Sequence, residues 1–420
     1  MQSAIRFHPP SYDIRVETIP TPRISDPDDA IVKVKYAGLC GSDLHAYRGH
    51  EIVDQVHTCG HEFIGEIVEL GSAFGKAIDG RAPLYSTLKV GDKVVSPFTT
   101  NCGECAFCRA GVTCRCIHSK LFGCPALEGA QAQYVRVPKA GGTLYSLSDP
   151  ALSQKYSSWA NISDSSLLFL GDILPTGLFA ALQAIHHPKL QATLSGIPWP
   201  LHMDTSPSVR TESPKDITLT FAIVGLGPVG LCAMIALADQ ASLKGFKLRI
   251  VGVDLNEARR QKAERVYATV CQTEGYTDAG ISFVTYDGEA AKSAVSEYTE
   301  GAGCDAVLEI VGHDSALNLA YDLVRPFGVI SSVGVHSERP FPLSGGNLYD
   351  KNVSMDFGRC PARAMLPIAL DLLVKRQDVF AGVGTDASLV DRIVGMGDAV
   401  EMYKLFDKGD IGKVLFQPWE

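Results

Sequence analysis

The run Ile217-Thr218-Leu219-Thr220-Phe221-Ala222-Ile223-Val224, the turn Gly225-Leu226-Gly227-Pro228-Val229-Gly230 and the apolar stretch LCAMIALAD follow one another without a break. This order constrains the fold more than any other feature of the chain. An unbroken apolar run predicts a strand buried on both faces, as in a parallel sheet. The first glycine permits a tight turn, the second lets backbone N–H groups approach a pyrophosphate, and the third lets a helix pack on the strand. A second predicted strand over 248–253 ends in Asp254, an acidic residue placed to accept hydrogen bonds from ribose hydroxyls. Further strands over 281–284, 304–311 and 328–335, with a helix over 316–324, continue the alternation and predict a doubly wound parallel sheet. A GxGxxG turn also occurs in α/β domains that bind no nucleotide, and that alternative stays open here.

A chain of 420 residues exceeds what one core organises, so two domains are expected. Residues 1–40 carry period-two alternation in Ile14-Arg15-Val16-Glu17 and Ile31-Val32-Lys33-Val34-Lys35-Tyr36, and 63–71, 90–95 and 131–138 read as further strands. The first domain is therefore a β barrel or sandwich with loops, and 72–88 is a polar excursion from it. With 38 basic residues against 47 acidic ones the net charge is −9, which argues against a nucleic-acid partner gripped through phosphates. No apolar run approaches the roughly 20 residues that span a bilayer. The opening MQSAIRFHPPSYDIRV lacks the apolar centre of a secretory signal, so a cytoplasmic protein is expected. In that setting the 12 cysteines point to metal ligands or reduced thiols, not to disulfides.

Two stretches carry metal-ligand chemistry. In NCGECAFCRAGVTCRC, Cys102, Cys105 and Cys108 are separated by two residues each and Cys116 follows seven residues on. Such gaps turn successive thiolates onto one centre, and four thiolates close a tetrahedral shell, the pattern of a structural zinc. An iron–sulfur cluster also takes four thiolates, although the ferredoxin spacing and its Cys-Pro ending are absent; Cys114 is a competing fifth thiol. The second stretch, CGSDLHAYRGHEIVDQVHTCGHE, offers Cys40, His61 and Glu62, with Ser42, Asp43 and His45 close behind the cysteine. Cys and His suit a catalytic zinc, which needs three protein ligands and one open position. Buried cysteine and histidine in an ordinary core are the bland alternative.

From 167 the composition changes to LLFLGDILPTGLFAALQAI, where Pro175 suits the first turn of an apolar helix and Asp172 precedes it in the place of a helix cap. Residues 188–216 hold five prolines and no apolar period, and read as a loop or an insertion. Predicted helices near 365–373 and 398–406 and a strand over 413–416 close the chain.

Taken together, these motifs resemble the zinc-dependent alcohol dehydrogenases of the medium-chain dehydrogenase/reductase superfamily, nearest the formaldehyde- and polyol-dehydrogenase-like branches, whose flavour Gly358-Arg359-Cys360-Pro361 shares. The resemblance implies an α/β protein with a GroES-like β-rich catalytic domain, 1–172 completed by 357–420, and a Rossmann domain, 173–356, carrying the insertion 188–216. It implies two zinc ions: a structural one on Cys102, Cys105, Cys108 and Cys116, and a catalytic one on Cys40, His61 and Asp172, with Glu62 as a nearby or exchanging ligand. The best-known members place cysteine where Asp172 stands. Ser42 is implied to touch the substrate oxygen and His45 to pass its proton towards solvent, a solvated loop histidine being the alternative. Gly225, Gly227, Pro228, Val229, Gly230, Asp254, Arg259, Val333, Val335 and Lys413 are implied to bind the cofactor. Asp254 favours NAD, because a 2′-phosphate would meet a like charge there; Arg260 next to Arg259 is the complication. The implied reaction is hydride transfer between an alcohol and the nicotinamide, assisted by zinc as a Lewis acid. A homo-oligomer, dimer or tetramer, is implied as well. Two alternatives remain from the residues alone: a zinc enzyme of this fold running a specialised reduction or redox-neutral rearrangement, and a non-catalytic nucleotide-binding protein.

Overall fold

The computed structural model describes residues 1–196, 217–274, 276–336 and 340–420. The chain divides into Met1–Pro175 with Pro361–Glu420, and Thr176–Cys360. These boundaries fall a few residues beyond the 172/173 and 356/357 expected from the sequence.

The second unit is built on six strands ordered Ile281–Tyr286, Lys247–Val253, Thr218–Val224, Cys304–Glu309, Val324–Ser332 and Ser354–Phe357, every neighbouring pair parallel. Numbered along the chain this is 3-2-1-4-5-6, and the order reverses between Thr218–Val224 and Cys304–Glu309. In such sheets ligands bind outside the carboxyl ends of the strands at that reversal. The turn after Val224 lies there because Gly225 adopts φ +100°, open to glycine but strained for other residues. A Cβ on Gly230 would stand 2.0 Å from the Gly225 carbonyl oxygen, so only glycine lets helix Pro228–Lys244 begin so close to the turn. That helix is buried nearly all round, as a helix apolar on every side must be.

Two expectations need correction in this unit. Pro188–Ser195, expected as loop, is a helix: Pro188 stands in its first turn, the His187 ring accepts from the Lys189 N–H, and Gly196 ends it in the left-handed conformation. Local capping supplied what hydrophobic period did not. The rest of the insertion, 197–216, lies outside the described residues. The strand expected over 328–335 instead covers Val324–Ser332, so Val333 and Val335 follow it.

In the first unit a seven-stranded sheet orders Val390–Gly395, Lys413–Gln417, Ala30–Leu39, Phe63–Leu70, Lys93–Ser96 and Tyr145–Ser146, with Tyr134–Val137 also paired to Ala30–Leu39. A three-stranded sheet holds Asp13–Ile19, Gln2–His8 and His57–Thr58. The last strand of the chain pairs antiparallel with the end of Ala30–Leu39, Val414 opposite Leu39, so the C-terminal segment completes the sheet that leads into Cys40. Helix Ala399–Lys408 secures this return by burying Ala399, Met402, Tyr403 and Phe406, spaced as one helical face, against Phe7, Ile14, Leu39 and Tyr47. Each large side chain in that contact contributes about 1.5–3 kcal/mol.

Candidate functional site

Cys40 leaves the end of strand Ala30–Leu39, and His61 and Glu62 enter strand Phe63–Leu70, its antiparallel neighbour. Pairing these strands, with the Gly38 N–H donating to the Glu62 carbonyl at 2.9 Å, brings together residues that the sequence separates by a loop. Asp172 joins them from the far end of the unit's first segment. It sits between the 3-10 turn Leu168–Gly171 and helix Ile173–His186 at φ −152° and ψ −72°, outside either helix. His61 Nε2 lies 3.3 Å from Asp172 Oδ2, and Cys40 Sγ lies 3.5 Å from the same oxygen. All three residues are buried, and with Glu62 they offer donor atoms within 4.8 Å of one another.

These separations fit a tetrahedral zinc. Zinc–nitrogen and zinc–oxygen bonds of about 2.05 Å give a ligand edge of about 3.3 Å, and a thiolate at about 2.3 Å lengthens the edge to about 3.5 Å. The charges fit as well. Burial first, and then Glu62 and Asp172, push the Cys40 thiol up, while Asp43 and Asp172 overcome burial and raise His61 well above its ordinary value. Acidic groups gathered in a buried space call for a cation. The Ser42 hydroxyl stands 3.4 Å from both Cys40 Sγ and His61 Nε2. His45 is half-buried one turn further on in the short helix Asp43–Tyr47, and burial lowers its pKa.

Around this set lie partners to which the sequence assigned no role at the metal. Asp43 Oδ1 faces His61 Nδ1 at 3.3 Å and Asp43 Oδ2 accepts from the Cys40 N–H at 2.9 Å, which leaves His61 Nε2 for a metal. Lys413, expected to bind cofactor, is buried in the first unit, where its ammonium donates to Glu62 Oε2. A Cβ on Gly38 would come within 2.1 Å of that oxygen, so glycine keeps room for the pair. Glu62 Oε1 is buried and accepts no hydrogen bond among the described residues. An orphaned carboxylate oxygen beside the three donors suits a ligand that exchanges onto a metal.

The four-cysteine loop is likewise assembled. Sγ atoms of Cys102 and Cys116 lie 3.5 Å apart and those of Cys102 and Cys108 4.0 Å, around the edge of about 3.8 Å expected of a zinc tetrathiolate. Backbone N–H groups turn inward, Cys105 and Glu104 onto Cys102 Sγ, and Cys102 and His118 onto Cys116 Sγ. Against burial, backbone N–H groups at Cys108 and Ile117 bring the Cys105 thiol down to about 6. Cys114, buried on the adjoining 3-10 turn, stands outside the group of four. The 72–88 excursion braces this loop: Arg81 bridges Glu104 and Asp28, each at 2.8 Å, with its guanidinium over the Tyr85 ring.

In the second unit Asp254 Oδ2 accepts from the Leu226 N–H of the glycine turn and Oδ1 from the Asn256 N–H, both at 2.9 Å. Arg259 approaches the carboxylate at 3.7 Å, whereas Arg260 donates to the Asp254 and Leu255 carbonyl oxygens. Gly227 keeps open space where a side chain would begin. Val333 donates to the Glu309 carbonyl oxygen and Val335 is exposed. Glu309, fully buried, accepts from the N–H groups of Val311 and Gly312 and meets Ser332 and His336. An acidic residue directly after the apolar run Ala306-Val307-Leu308 was the available signal for it.

The sequence matches the model of the alcohol dehydrogenase GroES-like domain over residues 26–149 and that of the zinc-binding dehydrogenases over 228–375. It is 37% identical over 419 residues to zinc-type alcohol dehydrogenase B of Aspergillus flavus, an alignment covering 99% of this chain and 81% of that protein. The medium chain reductase/dehydrogenase ucsI of an Acremonium species is 37% identical over 82% of this chain and 97% of its own length. Among solved structures, alcohol dehydrogenase TADH from Thermus sp. ATN1 superposes with a TM-score of 0.72 at 27% identity, covering 99% of both chains.

Proposed function

The chain belongs to the zinc-dependent alcohol dehydrogenases of the medium-chain dehydrogenase/reductase superfamily, and on that premise we propose how its residues share the reaction. The protein is a zinc-dependent oxidoreductase that moves a hydride between an alcohol, or the matching aldehyde or ketone, and a nicotinamide cofactor. Cys40, His61 and Asp172 hold the catalytic zinc; the approach of His61 Nε2 and Cys40 Sγ to one Asp172 oxygen, 3.3 and 3.5 Å, carries this assignment. When bound, the metal supplies a Lewis acid for the substrate oxygen. Ser42, whose hydroxyl both donates and accepts, holds the proton of the substrate oxygen, and His45 takes it towards solvent. Asp43 fixes the His61 tautomer and Lys413 holds Glu62 in reserve beside the set. Cys102, Cys105, Cys108 and Cys116 hold the second zinc, which stabilises its loop.

NAD is the preferred dinucleotide. The Asp254 carboxylate supports this, and Arg260, spent on backbone carbonyls, offers a 2′-phosphate little. The Gly225-Leu226-Gly227-Pro228-Val229-Gly230 turn receives the pyrophosphate at the start of helix Pro228–Lys244, with Arg259 on the adenosine and Val333 and Val335 on the loop that follows strand Val324–Ser332. The working form is a homo-oligomer, dimer or tetramer, in the cytoplasm. Incubating the zinc-loaded protein with a panel of primary, secondary and polyhydric alcohols and NAD tests the whole reading: nicotinamide absorbance should rise with at least one, and Cys40→Ser should abolish it. A panel that gives no turnover in either direction overturns it.

A further inference from the structure

His61 is connected to the C-terminal helix by a chain of buried side chains whose donors and acceptors all agree. The Tyr403 hydroxyl donates to Gln131 Oε1 at 2.8 Å. The Gln131 amide nitrogen donates to the Gly38 carbonyl oxygen at 3.1 Å and to Asp43 Oδ2 at 3.4 Å. Asp43 Oδ1 then faces His61 Nδ1. Gln131 and Tyr403 are both wholly buried. The seat of Gln131 is built for it: its N–H donates to the Cys59 carbonyl oxygen and its own carbonyl accepts from Ile5, while Gly60, at φ +92°, has no Cβ to collide with the Gln131 side chain 2.5 Å away.

We propose that Tyr403 and Gln131 are positioning residues for the catalytic metal site, setting the direction of the Asp43 carboxylate and through it the His61 ring. Polarity fixes the orientation of the Gln131 amide. Gln131 can present either an acceptor or two donors towards Asp43 and Gly38, both of which are acceptors. Only the amide nitrogen satisfies them, and that orientation turns the Gln131 oxygen to Tyr403, which meets it with its one O–H. Asp43 thereby collects three donors, the Cys40 N–H, the Gln131 amide and His61 Nδ1, and cannot rotate without leaving a buried donor unpaired. Because Tyr403 rides on helix Ala399–Lys408, the return of the C-terminal segment reports directly on the ligand geometry. Neither residue touches the donor atoms, so their effect passes through Asp43.

The inference rests on the reading of Cys40, His61 and Asp172 as zinc ligands, and the experiment separates the two. The affinity of each zinc is measured by chelator competition, with the melting temperature alongside, for the wild type, Tyr403→Phe, Gln131→Met, the double variant and Met402→Ala. Met402 is buried on the same helix and stands outside the chain of bonds. Gln131→Met should weaken the catalytic-site zinc by about 10- to 100-fold, Tyr403→Phe by about 10-fold, and the four-cysteine zinc should not change in either. The double variant should be no weaker than Gln131→Met, because Tyr403 acts through Gln131. Met402→Ala should lose stability and keep its zinc affinities. Catalytic-site affinities equal to wild type in both Gln131→Met and Tyr403→Phe overturn the proposal, as does an equal loss in Met402→Ala at a matched drop in melting temperature. Should the protein retain both zincs after Cys40→Ser, the ligand reading itself has failed.

Discussion

Glu62 and Lys413 stand 351 positions apart in the chain and form an ion pair with no solvent exposure on either side chain. Burial pushes the Glu62 carboxyl up against the pull of Lys413, while Glu62 and then Cys40 overcome burial to raise the ammonium. Lys413→Met should cost about 3–5 kcal/mol, since it leaves a buried carboxylate without a counter-charge. Lys413→Met combined with Glu62→Gln should recover most of that. Denaturant unfolding checks both, and equal stability of the single variant and the wild type would show the pair to be dispensable.

Two zinc ions per chain are expected, one on each donor set. Cys105→Ala should remove one equivalent and destabilise the fold, because a structural zinc contributes directly to folding. Cys40→Ser should remove the other equivalent and turnover, with little change in melting. Metal analysis of the purified protein giving one equivalent or none refutes the pair of sites.

Asp172 distinguishes a ligand from a helix cap by chemistry. Asp172→Asn keeps the size and the capping oxygen but loses the charge, so zinc affinity at the catalytic site should fall by at least about 100-fold, more than loss of a supporting residue brings. If the Asp172→Asn variant keeps its metal and its kcat, Asp172 leaves the ligand set.

Cofactor choice should turn on Asp254. The wild type should show a higher kcat/KM with NAD than with NADP, and Asp254→Ser should narrow the ratio by at least about tenfold, or ~1.4 kcal/mol. Steady-state kinetics with both dinucleotides decides it, and a wild type that prefers NADP contradicts the assignment.

Asp164 gives the protein a testable acid limb. Burial opposes its ionisation, but Lys35 and Lys93, with ammonium groups 2.6 and 2.8 Å away, hold its pKa below the usual value. A lowered pKa means that its contribution is present above the unfolded value near 3.8 and is lost as pH falls through the folded one. Because both lysines are largely exposed, Asp164→Asn should cost only about 1 kcal/mol at pH 7. The wild type and the variant should converge in urea unfolding curves once the pH lies below the folded pKa of Asp164; a gap that persists there assigns the loss to something other than charge.

What could be read along the chain was whatever depends on neighbours in sequence. The strand and glycine turn over 217–230 specify their own conformation, because the positive φ of Gly225 and the close approach at Gly230 are requirements of that turn alone. The cysteines of the structural loop are spaced so that a few residues of backbone bring the thiols together, and Asp254 follows its strand directly. Tertiary structure decided the rest. Cys40 and Asp172 are 132 positions apart, and Tyr403 and Gln131 are separated by 272; neither separation leaves a periodicity or a spacing to detect. Lys413 shows the limit most plainly. Its place on a strand was legible at 413–416, but which residue receives its ammonium depends on the pairing of Lys413–Gln417 with Ala30–Leu39, and only that register delivers it to Glu62. Side-chain partners across a sheet are set by the alignment of strands distant in sequence, a property of the folded molecule and of no segment within it.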